Sequence, residues 1–191
     1  MFIRSERLFL RPGWPEDWAE LHALIDDEAI VCNLTRAPWP YGPDDARSFA
    51  ASAQGVRHPH FFVTLPGARG SRLIGCAGLI SEDGESVIGY WIARQHWNKG
   101  YATEAVKALL RLAPTLGHRR IVARHFADNT ASARVLAKAG FRPTGEIRLG
   151  RSAARREAAP TVMHAIDLCA PAGCDGPDDG GLDATRSLRA A

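Results

Sequence analysis

The feature that most limits what this chain can become is a junction. An apolar run, Ser86 to Ala93 (SVIGYWIA), passes through a short polar stretch into a segment whose apolar residues recur at helical spacing. From Gly100 to Leu116, residues Ala102, Ala105, Val106, Leu109, Leu110 and Ala113 fall at offsets 0, 3, 4, 7, 8 and 11, one stripe of an amphipathic helix. A buried-type strand delivering into a helix with one apolar face requires a sheet with helices laid against it. The rest of the chain supplies both. Strands are predicted at Arg7–Arg11, Phe61–Leu65, Leu73–Ile80, Ile121–Phe126, Phe141–Leu149 and Thr161–Leu168, with a Gly-rich turn, Pro66–Ser71, making a hairpin of the second and third. Helices are predicted near Pro15–Asp27, Pro43–Ala53 and Asn129–Ala139, the last closed by Gly140. The expectation is one α+β domain over residues 1–169.

Residues 170–191 (APAGCDGPDDGGLDATRSLRAA) hold almost no large apolar side chain, so burial cannot offset the entropy of ordering them, and a mobile tail is expected. Lys and Arg number 24 against 21 Asp and Glu, a net charge of +3, too small to call for a polyanionic partner, and nucleic acid is not expected. The start, MFIRSERLFLRPGW, lacks the apolar core of a signal peptide, and no run near 20 residues is apolar enough to cross a bilayer. A cytoplasmic protein without membrane contact is expected. Cys32, Cys76, Cys169 and Cys174 show no ligand spacing, so reduced thiols and no metal are expected.

The chemistry is concentrated in Tyr90 to Ala105, YWIARQHWNKGYATEA. A helix N-terminus presents free N–H groups at the positive end of the helix dipole, and Gly100 and Ala102 have little side chain to keep a phosphate from the backbone. Lys99 adds a cation nearby. Taken alone, one glycine at a strand-loop-helix junction is equally consistent with plain architecture.

Two stretches carry a resemblance. Trp97-Asn98-Lys99-Gly100-Tyr101-Ala102 is similar to the Gln/Arg-x-x-Gly-x-Gly/Ala signature of the GNAT (Gcn5-related) N-acetyltransferase superfamily, and WNKGYATEA resembles its ribosomal-protein N-acetyltransferase-like branch, where Trp97 is usual in place of Gln or Arg. Downstream, Asp128 to Phe141 (DNTASARVLAKAGF) resembles the branch's Asn-x-x-Ser followed by Lys-x-Gly-Phe. The resemblance implies a mixed, mostly antiparallel sheet splayed at an acetyl-CoA site and flanked by helices. It implies an acyltransferase (EC 2.3.1.-) that passes acetyl from acetyl-CoA, as cosubstrate, to a primary amine by direct attack, the amine belonging to a protein N-terminus or a small molecule. The implied cosubstrate contacts are Tyr90, Trp91 and Ile92 on a strand splayed by a bulge, Trp97, Asn98, Lys99, Gly100, Tyr101, Ala102 and Thr103 around the pyrophosphate, and Asn129 and Ser132 on the next helix.

Tyr90 N–H is expected to face the thioester carbonyl, where negative charge develops as the amine attacks. Many superfamily members place a Tyr at the position of Leu136 to protonate the departing thiolate; Ser132 matches a branch Ser thought to do so instead. Asn129 also reads as a plain N-cap, and Ser132 as a small residue that allows close packing. For the base that deprotonates the amine the candidates are Glu85, which also reads as a turn charge, and His125, which also reads as a satisfied structural histidine. Glu104 reads as a first-turn carboxylate complementing its helix dipole. The arginine-rich run Arg148–Arg156 (RLGRSAARR) reads as a solvated loop or as a border of the acceptor site, and Thr35–Asp44, with Trp39 and Tyr41, as a segment that caps a cleft or a partner. An acyl-CoA-binding or sensing module without turnover is the alternative function. A homodimer is left open.

Overall fold

A computed structural model describes residues 1–53, 55–68 and 70–168. The expected tail, Cys169 and Cys174 lie outside the described residues. The strands are β1 (Ile3–Arg4), β2 (Phe9–Arg11), β3 (His60–Gly67), β4 (Gly70–Glu82), β5 (Glu85–Ile92), β6 (Arg120–Phe126), β7 (Arg142–Gly150) and β8 (Ala159–Asp167). The helices are α1 (Trp18–Ile25), α2 (Glu28–Val31), α3 (Pro43–Ala50), α4 (Tyr101–Leu112) and α5 (Thr130–Ala139). They build one eight-stranded sheet in the order β1-β2-β3-β4-β5-β6-β8-β7.

The sheet has an apolar core on each face. On one, α4 and α5 set Val106, Leu109 and Leu136 against Phe61, Ile74, Leu79 and Ile121; on the other, α1 to α3 set Leu21, Val31 and Ala46 against Phe62, Leu73 and Cys76. Successive residues Phe61 and Phe62 go to opposite cores, which is why β3 is a continuous apolar run rather than an alternating one. Each large aliphatic side chain so buried contributes roughly 2 kcal/mol. The helical stripe of α4 continues past its end: Pro114, which lacks an N–H, ends the α-helix, and the chain carries on as one 3₁₀ turn with Ala113 still buried.

The differences from expectation have local causes. β1 and α2, of two and four residues, are too short to show a period. The first helix ends at Ile25, where Asp26 leaves helical geometry and Asp27 accepts from Ala29 N–H to start α2. Tyr41 is buried in the α1–α3 core rather than free to cap a cleft, and Trp39 packs against the same core. Among the described residues no helix is long and apolar enough to cross a membrane.

All strand pairs are antiparallel but one. β4 and β5 pair without a register shift from Gly75↔Ile92 to Glu82↔Glu85, whereas β5 and the parallel β6 meet at Val87↔Val122 alone. Beyond Ile88 the sheet is therefore open between β5 and β6. The resemblance implies a bulge in the strand of Tyr90 to Ile92, but the β4–β5 ladder carries none. Register shifts lie elsewhere, between β3 and β4, where Ile74 is the extra residue between Val63↔Gly75 and Thr64↔Leu73, and between β7 and β8 at Pro143/Ile147.

Candidate active site

The opened sheet, the start of α4 and the start of α5 enclose a cleft of about 760 Å³, within the range of small-molecule sites. Its first wall is the backbone of β5. In an antiparallel ladder the N–H and C=O of alternate residues point to alternate sides. Ala93 N–H donates to Ile74 O on the β4 side, and Trp97 Nε1–H donates to Ile92 O from the other. Tyr90, two residues before Ile92, thus directs its own N–H and C=O into the gap that β6 leaves.

The second wall is the N-terminus of α4. Gly100 caps it in the left-handed region, φ +80°, and supplies no side-chain acceptor; the first intrahelical bond is Glu104 N–H to Gly100 O at 3.1 Å. The N–H groups of Tyr101, Ala102 and Thr103 consequently have no intrahelical partner, and all three residues line the cleft. A side chain at Gly100 would be strained by that φ and would bring its Cβ to 3.4 Å from Arg7 Nη2. Asn98, also at positive φ (58°), completes the turn that aims the helix end at the cleft.

Arg7, on the β1–β2 turn, carried no signal in the sequence and proves to hold this loop. Its guanidinium donates to Lys99 O and to Glu104 Oε2 and lies 4.7 Å from the centre of the Tyr101 ring. Glu104 accepts as well from Arg7 N–H and from Ser5 Oγ–H, each at 2.7 Å. Burial raises the Glu104 pKa, but these donors outweigh it and hold the carboxyl below its ordinary range. Beyond complementing the dipole of α4, Glu104 pins that helix to the sheet edge.

The third wall is α5. Asn129 Oδ1 accepts from Ser132 N–H at 3.0 Å, so the capping role is realised, and the residue lines the cleft. Ser132 Oγ lies 2.6 Å from the phenol oxygen of Tyr90, whose side chain packs on the α4–α5 face of the sheet. Burial pushes the Tyr90 phenol up to about 12 against the lowering effect of Ser132, so it stays protonated. Arg134 and Lys138, one helical turn apart on α5, face the same cleft and add cations that the sequence did not flag.

Of the residues expected around a cosubstrate, Tyr90, Trp91, Ile92, Trp97, Asn98, Gly100, Tyr101, Ala102, Thr103, Asn129 and Ser132 line this one cleft. Lys99 does not: its Nζ donates to Gln95 O at 3.0 Å. Of the two expected bases, one lies on the cleft lining. Glu85 sits at the β4–β5 turn, paired across it with Glu82 and away from the cleft lining, because β5 runs five residues from there to Tyr90. His125 does reach the lining, but Nδ1 is 2.8 Å from Phe126 O and Nε2 is 3.1 Å from His164 Nε2, so both ring nitrogens are engaged inside the protein. Asp128, also on the lining, is held well ionised by a bidentate bond from Arg155 and is a weak proton acceptor. Cys32 lines the cleft too; burial raises its thiol, which keeps it protonated.

An anion-ready helix end and an opened sheet edge in one cleft match the expected chemistry, and the comparisons with known proteins agree. The family model of the acetyltransferase (GNAT) domain matches residues 7–142. The chain belongs to the GNAT acetyltransferase family. It is therefore an acyltransferase whose reaction depends on acetyl-CoA. The Uncharacterized N-acetyltransferase YoaA of Bacillus subtilis (strain 168) is 38% identical over 160 residues, 76% of this chain and 85% of that protein. A solved GNAT-family acetyltransferase from Bacillus anthracis superposes with a TM-score of 0.75 at 28% identity, over 87% of this chain and 98% of that one. RimL, a ribosomal L7/L12 alpha-N-protein acetyltransferase solved in complex with coenzyme A, shares the fold at a TM-score of 0.71 and 19% identity, over 88% of this chain and 98% of its own.

Proposed function

We propose that this acetyltransferase acetylates a primary amine by direct attack, with the cleft between β5, α4 and α5 as its active site. The observation that carries this reading is that the free N–H groups of Tyr101, Ala102 and Thr103 and the gap-facing N–H of Tyr90 open into one cleft. Bound there, acetyl-CoA supplies an acetyl thioester and a pyrophosphate.

The N–H groups at the start of α4 receive the pyrophosphate, and Asn129 Nδ2 bonds the arm that follows. Tyr90 N–H donates to the thioester carbonyl oxygen and stabilises the charge that grows there during attack, a contact stronger in the transition state than in the ground state. Ser132 gives a proton to the leaving thiolate and recovers one from the attacking nitrogen, which sheds it as the amide forms. A hydroxyl has one proton and two lone pairs, so a bond from the Tyr90 phenol to Ser132 Oγ leaves the Ser132 proton free to point at sulfur. Leu136, fully buried in the core, has no part in this. The acceptor ammonium loses its proton to solvent, since Asp128 is too weak a base and His125 presents no free nitrogen. No acylated enzyme forms: Cys76 is buried, and Cys32 is kept as the thiol.

The test is thiol release from acetyl-CoA over a panel of primary amines (peptide N-termini, amino acids, polyamines, aminoglycosides), with mass spectrometry of product and enzyme. Amine-dependent release, acetyl on the amine nitrogen and an unmodified enzyme would support the reading. Bound acetyl-CoA with every amine left unmodified, or acetyl accumulating on Cys32, would overturn it.

A further inference from the structure

The end of the cleft away from α4, which the proposed function leaves to the acceptor, continues past Thr35 into a second depression of about 270 Å³, lined by Thr35, Arg151, Ser152, Arg155, Arg156 and Glu157 together with two alanines. Thr35 and Arg155 line both spaces, so the two are contiguous. The wall that carries the arginines is fixed. Ser152, 6% exposed, donates from Oγ to Val31 O at 2.8 Å, and Arg155 donates from Nε to Cys32 O at 2.7 Å. Two bonds thus tie the β7–β8 connection to the end of α2, while Arg151 and Arg156 stay exposed.

Its guanidinium groups divide into two sets. Arg148 is paired with Glu146, Arg155 with Asp128, and Arg124 across the cleft with Glu82. Arg151 and Arg156 make no ion pair among the described residues, and Glu157 is the one carboxylate lining the depression. Arg36, exposed beside Thr35, is in no such pair either. An excess of positive charge therefore stands on a tethered wall next to the place where an acceptor must enter.

We infer that this depression is an anion subsite for the acceptor: the amine substrate carries a carboxylate beyond its nucleophilic nitrogen, received by Arg151 and Arg156, whose planar donor forks match a carboxylate. An acidic peptide N-terminus and a free amino dicarboxylic acid both present that chemistry. The inference rests on the acetyltransferase reading for the identity of the cleft, and its test reads binding separately from transfer.

Fluorescence anisotropy is measured for the full chain, with and without saturating CoA, against peptides Ser-Glu-Glu-Ala, Ser-Gln-Gln-Ala and Ser-Lys-Lys-Ala labelled at the C-terminus. The Glu peptide is expected to bind at least about tenfold more tightly than the Gln peptide, the ratio expected from one to two charge-assisted hydrogen bonds. The preference should shrink as salt rises and reverse toward the Lys peptide in the Arg151→Glu/Arg156→Glu variant, with thermal unfolding and acetyl-CoA titration as checks that the variant is folded. Equal binding of the Glu and Gln peptides, or a Lys preference in the wild type, overturns the subsite. Displacement of the Glu peptide by free glutamate assigns the subsite to small acceptors; lack of displacement assigns it to peptides. Thiol release in the same mixtures reports on the transferase reading alone: selective binding without any release leaves the subsite standing and counts against that reading.

Discussion

At the α4 end of the cleft the groups on offer are backbone: N–H donors of Tyr101, Ala102 and Thr103 that the helix cannot satisfy, and the Tyr90 N–H that the sheet leaves unpaired. At the acceptor end they are side chains from three distant segments, Cys32 to Thr35 after α2, Arg124 to Asp128 at the end of β6, and Arg151 to Glu157 between β7 and β8. Backbone donors are fixed by the fold and survive most substitutions, so they suit a ligand common to a whole family. Side chains change with single mutations, so they suit the part of the reaction in which relatives differ.

The largest effect that could break this contrast is at Gly100. Gly100→Glu places a carboxylate among the helix N–H groups on a backbone that disfavours any side chain, and calorimetry should show acetyl-CoA affinity falling roughly 100-fold or more, about 2.7 kcal/mol. Unchanged affinity would mean that the pyrophosphate does not use this end of α4. Next in size is Ser132→Ala. Loss of a proton donor should lower kcat on the order of 100-fold while acetyl-CoA affinity stays within about twofold. Tyr90→Phe removes only the phenol that orients Ser132 and should cost about tenfold in kcat; in the double variant the two losses should fall short of multiplying, the signature of residues that act through each other.

How much of this was legible follows the same division. The α4 end could be read because its elements are local: the stripe of Ala105, Val106, Leu109 and Leu110, the Gly100 cap and the Asn129 cap each lie within a few residues of the groups they organise. Even there Arg7 was missed, because a turn arginine reaches Lys99 and Glu104 only after the sheet has brought residues more than ninety positions apart together. The acceptor end was legible only in separate pieces, Arg148–Arg156 as a border of an acceptor site and Thr35–Asp44 as a cap on a cleft, and their meeting was not. Nothing near Cys32 or Thr35 in the sequence announces Arg155, and His125 gave no sign of the imidazole of His164 that engages it. Lys99 shows a further limit: nothing in the sequence announces that its ammonium donates to a carbonyl four residues back in its own loop.

Glu104 sharpens the contrast from the stability side. Its carboxyl is held low in the folded chain, so as pH falls the unfolded chain binds the proton first, and the stabilisation is complete above the ordinary Glu value of about 4.3 and lost as pH drops through the folded value. Glu104→Gln should therefore lower stability by roughly 1–2 kcal/mol at pH 7, and denaturant titrations should show the gap to wild type closing as pH falls below the ordinary Glu value. The smallest effect concerns the base. With deprotonation left to solvent, kcat/KM should climb with pH toward the amine pKa of whichever acceptor is used; a limb whose position ignores the acceptor would reinstate a base on the protein.

The account stands most directly on where acetyl-CoA meets the backbone, and amide chemical shifts in ¹⁵N-labelled protein read that without mutation. Titration with acetyl-CoA should move the amides of Tyr101, Ala102, Thr103 and Tyr90 furthest and those of the β7–β8 connection little. Shifts centred on the acceptor end, with the first turn of α4 and Tyr90 unmoved, would contradict it.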